Sequence, residues 1–179
     1  MSPLHRFGAP VACALMTLAQ TLTPANAAES DPLAWREAGT LPALVAHLED
    51  WLDANTDLPR RDSAPDIALI GAARAASMHT SRHASQEGHA RGLYDEEAGA
   101  IYLVRPWDAR NPYDVSVLLH ELAHHRQAEA GHWYCPGAQE LPAYRLQDEW
   151  LGALGLAADV NWVAVVLEAG CTPRDIHPD

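Results

Sequence analysis

The sequence predicts an α+β fold, mainly helical, with a small antiparallel β-hairpin directly ahead of one largely buried helix. Three observations carry this expectation. Segments with apolar residues at helical spacing lie on both sides of a short β-prone region. Within that region two β-prone runs flank an acidic, glycine-containing turn between Gly92 and Val104. A capped and unusually apolar helix then opens at Asn111-Pro112. Helices, a small sheet and further helices around one core make an α+β arrangement.

Ahead of the folded part, His5 and Arg6 give a weakly basic start and an apolar run follows from Phe7 to Leu22. Ala25-Asn26-Ala27 then offers a small-residue cleavage site, so residues 1–27 read as a secretory signal peptide and Ala28 as the mature N-terminus. This places the mature chain in the periplasm or outside the cell. Gly8, Pro10, Gln20 and the short length argue against a membrane-spanning helix. Pro10-Val11-Ala12 is a poor lipobox for lipidation of Cys13. Residues 28–179 fit one domain with one core, and no later apolar stretch is long enough to span a bilayer.

Leu41 to Leu52 carries an apolar helical stripe, with Thr40 as N-cap, Pro42 in the first turn and His47 off the stripe. Pro59 to Asp66 is a turn-rich connection. Ile67 to Ile70, bounded by Pro65 and Gly71, fits a buried strand, and the Ala-rich segment from Ala72 to Met78 fits a helix. His79 to Gly92 is polar and aperiodic and reads as a surface loop. His79 and His83 stand four apart with His89 nearby, a second metal site being the alternative to a loop that has collected histidines. After the hairpin, Asn111 caps a helix with Pro112 in its first position and Asp114 in its first turn; Gly131 is a plausible stop. A further helix runs from Ala138 to Leu154, with Pro142 taken as lying in its first turn, where backbone N–H groups lack intrahelical partners. Asn161 to Ala169 is a short last helix ending at Gly170.

All 12 basic residues are arginine, against 24 acids. Loss of the leader removes only Arg6 from that balance, leaving a net charge near −13. Nucleic acid and anionic membrane surfaces are therefore poor partners. Cys135 and Cys171 are the cysteines left after processing. In an exported chain they read most simply as one disulfide, closing a loop of about 35 residues and contributing on the order of 3–4 kcal/mol on the chain-entropy model. The competing reading, two thiolate metal ligands, lacks any close Cys-x-x-Cys or Cys-x-x-His spacing.

The most informative stretch is His120-Glu121-Leu122-Ala123-His124. Residues four apart on a helix share a face, so two imidazoles at that spacing can bind one Zn²⁺ with the glutamate beside it as a general base. With 10 His and 11 Glu in the chain, chance alone would give such a match in roughly 3 of 100 shuffled sequences. The apolar flanks sharpen the case, because buried imidazoles need partners and a metal satisfies both at once. At least one more ligand is required. Gln127 and Ala130 exclude the HExxHxxGxxH pattern. His125 points about 100° around the helix from His124, and Glu129 about 140° around it, so neither faces the His pair. Glu140 is better placed: a loop containing Gly131, Pro136 and Gly137 lets a second helix pack back with its opening turn facing the histidines. His132 remains the other candidate.

His120-Glu121-x-x-His124 followed by a helix opening Glu140-x-x-Ala143-Tyr144 resembles the zincin metallopeptidases of the gluzincin type, above all their small, exported, uncharacterised bacterial members. The resemblance covers Gly92 to Leu154 and puts Ala100 to Val104 in the place of the substrate-binding edge strand. It implies Zn²⁺ held by His120, His124 and Glu140, and Glu121 as the base that moves a proton from water to the leaving amine. It also implies an oxyanion donor drawn from Tyr144, His132 and Tyr134, Tyr144 first. The substrate would be a peptide or protein pairing with the hairpin edge. The chain departs from many gluzincins in having Tyr144 where an acidic residue orients a metal histidine, and in its short spacing from His124 to Glu140. The leading expectation is thus an exported zinc metallopeptidase. The alternative is a non-catalytic, zinc-stabilised binding protein on the same scaffold. Oligomeric state is not legible.

Overall fold

The computed structural model describes residues 31–79 and 90–171, with only the backbone of His79. The expected leader and cleavage site, Cys13, His83, His89 and the His79 side chain lie outside the described residues. A 3₁₀ turn at Ala34–Glu37 precedes α1 (Leu41–Asn55), β1 (Asp66–Ile70), α2 (Ala72–His79), β2 (Gly92–Asp95), β3 (Ala100–Val104), α3 (Pro112–Ala130), α4 (Gly137–Ala153) and α5 (Trp162–Ala169). The α+β expectation holds. Among the described residues no helix is long and apolar enough to cross a membrane.

The sheet differs from the expected antiparallel hairpin. Its order is β1-β3-β2. β2 and β3 pair antiparallel, Gly92 opposite Leu103, as the hairpin reading requires. β1 adds to the other side of β3 in parallel, Asp66 opposite Ala100 and Ile70 opposite Val104. Ala100–Val104 is therefore the central strand and not an edge; among the described residues β2 is the outer strand next to the site. The sequence of β3 shows why. Ala-Ile-Tyr-Leu-Val is buried at every position but the middle one, the continuous apolar run of an interior strand. β1, expected to be buried, has only Ile70 buried and leaves Leu69 39% exposed, as suits a strand at the outer edge.

The core has a main cluster and a small second one of Ile70, Ala75 and Val104 under α2. Leu44, Leu48 and Leu52 from α1 meet Ile101 and Leu103 from β3, Leu118, Leu119 and Leu122 from α3, and Trp150 and Leu151 from α4. Trp35 packs on Trp150 with ring centroids 5.6 Å apart. α3 is fixed at both ends. At its start Asn111 accepts from the Tyr113 N–H at 3.0 Å. The buried Asp114 accepts from the Asp108 N–H at 3.0 Å and pairs with Arg91, just ahead of β2. Near its end the fully buried Arg126 donates through Nε to Glu49 at 2.8 Å, and through its terminal nitrogens to Asp53 at 2.7 Å and the Leu58 carbonyl at 3.0 Å. That guanidinium is paired at every side, which is what allows a charge in the core.

α4 begins at Gly137, one residue earlier than expected, and Pro142 is its sixth residue, in the second turn instead of the first. It deprives the Ala138 carbonyl of its helical donor. The next carbonyl, Gln139, accepts from Gln127 Nε2 of α3 at 2.9 Å. A bond across the two helices thus stands where the α4 ladder is interrupted.

Candidate metal centre

α3 and α4 pack antiparallel, and side chains on their shared seam make the site. His120 and His124 stand one above the other on α3, and Glu140 reaches them from the opening of α4. The two Nε2 atoms lie 3.0 Å apart, and the Glu140 oxygens lie 3.5 Å from His120 Nε2 and 3.6 Å from His124 Nε2. Among the described residues these three form the one group of His, Cys, Asp and Glu side chains whose donor atoms converge, all within 4.8 Å of one another. Ligands bonded to a tetrahedral Zn²⁺ at about 2.0–2.2 Å stand roughly 3.3–3.5 Å from each other. The observed spacings bracket that value, and two imidazoles with a carboxylate are a donor set that zinc takes. The residues present fit the ion.

The surroundings prepare His124. Its Nδ1 donates to Gln127 Oε1 at 2.8 Å, and Gln127 passes the chain on to the Gln139 carbonyl. A proton held on Nδ1 leaves Nε2 with its lone pair toward Glu140, the tautomer a ligand needs. His120 Nδ1 is buried and has no partner among the described residues. Gln127 escaped the sequence reading, where it served only to exclude a pattern. Its signal was a buried amide three residues past His124 on the same helix face.

Glu121 is buried beneath β2. Burial pushes its carboxyl up; His120 and His124 pull it down, Glu140 pushes up again, and the Tyr94 backbone supplies a hydrogen bond. Gly92 is required here: a Cβ at that position would stand 2.5 Å from Glu121 Oε1 and 2.7 Å from Val117 Cγ1. Tyr144 packs its ring 4.4 Å from that of His120. Burial and the charges of Glu140, Glu121 and Glu168 push its hydroxyl up to about 12, so it stays a donor.

The other residues considered from sequence lie elsewhere. His125 is buried against Arg61, Tyr94 and the Ser63 carbonyl, and Glu129 pairs with Arg61. His132 and Tyr134 line the open groove but not the cluster, and Tyr134 is 85% exposed. Cys135 and Cys171 are bonded to each other. Together with the close seating of Gly137 on the Glu168 carbonyl, this ties α5 to the segment that delivers Glu140.

Without metal the cluster is an ion pair. Burial opposes charging His124, but contact with Glu140 outweighs it and carries the ring up to about 9. Burial likewise opposes ionisation of Glu140, yet the two imidazoles hold it well below the usual carboxylate range. The raised His124 value contributes stability that is complete below the unfolded pKa of about 6.5 and is lost as pH rises through about 9. We therefore expect the melting temperature of chelator-treated protein to fall between those limits, and the gain on adding zinc to grow over the same range as the competing proton leaves. A metal-free melting temperature that stays flat from pH 6.5 to 9 would refute the pairing.

The profile of a family described as a domain of unknown function (DUF6647) matches residues 37–179. A stretch amounting to 37% of the chain is 38% identical to Mediator of RNA polymerase II transcription subunit 5 of Mycosarcoma maydis, and it spans 7% of the length of that protein. No solved structure matches.

Proposed function

We propose a function for this chain, which belongs to the DUF6647 family: zinc-dependent hydrolysis of peptide bonds by an exported enzyme. The observation that carries the reading is the convergence of His120, His124 and Glu140 donor atoms beside a buried glutamate that is not one of them. A structural zinc site has no use for such a glutamate, whereas hydrolysis needs a base. Zn²⁺, when bound, supplies Lewis acidity toward a carbonyl and makes water acidic near neutral pH. Glu121, its proton affinity raised by burial, takes a proton from water in the groove and delivers it to the leaving amine. Tyr144, protonated and packed on His120, donates to the carbonyl oxygen as that atom gains charge. Gln127 holds the His124 ring in the binding tautomer. The groove beside β2, whose Gly92 seats on Glu121, is where an extended peptide would lie.

The test is turnover of a broad peptide library by zinc-loaded protein and by Glu121→Gln. Loss of a general base costs about 10²–10⁴-fold in rate, and the variant should retain one zinc per chain. Equal turnover in both sinks the assignment of Glu121. Full zinc loading with no turnover in either leaves a zinc-stabilised binding protein in place of the peptidase.

A further inference from the structure

The α3–α4 seam continues beyond the metal cluster to a second buried polar pair. Ser116 lies one turn before His120, and Gln147 lies two turns after Glu140, on the same helix faces. Gln147 is 9% exposed and Ser116 fully buried. Gln147 Nε2 donates to Ser116 Oγ at 3.0 Å, and Ser116 Oγ donates to the Tyr113 carbonyl at 2.8 Å. A serine has one hydroxyl hydrogen. Because it is spent on Tyr113, Ser116 must accept from the amide, which fixes the amide orientation. Gln147 Oε1 is then left without a partner among the described residues, on a side chain that lines the groove.

Leu151, Asp159 and Val160 line the same groove, and Asp159 is exposed. Among the described residues the carboxylates of Glu96, Glu97 and Asp159 line the groove, and the lining cation Arg91 is paired with Asp114. An acceptor held on a buried side chain, with apolar residues and acids lining the same groove, suits a long aliphatic side chain with a cationic end.

We propose that Gln147 is a specificity residue, and that the part of the groove it lines receives a lysine or arginine side chain next to the scissile bond. This rests on the peptidase reading of the same groove, and binding separates the two. Fluorescent hexapeptides carrying lysine, arginine, norleucine or glutamate at each position flanking the expected cleavage bond are titrated by anisotropy into zinc-loaded Glu121→Gln protein. Lysine and arginine peptides should bind roughly tenfold or more tighter than norleucine, the range of a hydrogen bond to a charged group, and the advantage should shrink with added salt. In Gln147→Met the lysine-over-norleucine ratio should fall toward one. Asp159→Asn, at an exposed position that does not threaten the fold, should lower the ratio in part. Equal binding of lysine and norleucine peptides, or a ratio untouched by Gln147→Met in a folded variant, overturns the inference. Selective binding of basic peptides that the wild-type protein never cleaves keeps the inference and removes the peptidase reading. Cleavage by the wild-type protein with no preference at either position does the reverse.

Discussion

Glu140→Gln should weaken zinc binding by at least about a hundredfold, more than the loss of an outer hydrogen-bond partner, which costs about 10–100-fold. The substitution removes the carboxylate and keeps the shape. Because Glu140 is also what carries His124 up to about 9 in the metal-free protein, the same variant should lose the decline in stability between pH 6.5 and 9. Two independent readouts, competition with a chromophoric zinc chelator and the melting temperature without metal, must change together. Gln127→Ala sets the scale beneath it: the His124 Nδ1 proton loses its acceptor at 2.8 Å, so zinc affinity should drop within the outer-partner range while all three ligands remain. Wild-type zinc affinity in Glu140→Gln would move the third ligand to another residue.

Gly92→Ala should separate catalysis from metal binding. The added methyl would sit 2.5 Å from Glu121 Oε1, 2.7 Å from Val117 Cγ1 and 2.9 Å from Glu121 Cγ. Something must yield, and the free end of the Glu121 side chain yields most easily. The three proposed zinc ligands are untouched, so one zinc per chain should remain, and overpacking at one strand residue should cost about 1–3 kcal/mol of stability. A base displaced by about 1 Å loses on the order of a hundredfold in rate. Steady-state kcat with elemental analysis on the same sample decides it; a wild-type kcat would mean that β2 does not position Glu121.

Most of the scaffold was legible because its signals are local. Thr40 caps α1 and accepts from the Ala43 N–H; Asn111 and Pro112 start α3, and Gly131 follows its end. The hairpin turn contains Gly99 at a φ of +63°, the left-handed region that favours glycine. The Cys135–Cys171 pairing was legible by elimination. What escaped depends on contacts remote in sequence. The parallel pairing of β1 with β3 joins segments more than thirty positions apart, and nothing within Ile67–Ile70 announces which neighbour it takes. That one pairing moved Ala100–Val104 from the edge of the sheet to its centre. In the site, the spacing of His120 and His124 is an intrahelical property and so is readable, and the reversing loop pointed to Glu140. The Gln127 bond to Gln139 needed the true start of α4 at Gly137, one residue before the expected one.

The pairs along the α3–α4 seam, Ser116 with Gln147, His120 with Tyr144, His124 with Glu140 and Gln127 with Gln139, behave as the teeth of one ratchet. Moving α4 by a single residue shifts each tooth by about 1.5 Å and turns it by about 100°, so no pair survives a slip while the others hold. The loop from Gly131 to Pro136 can therefore change its residues, the bonded Cys135 apart, far more freely than its length.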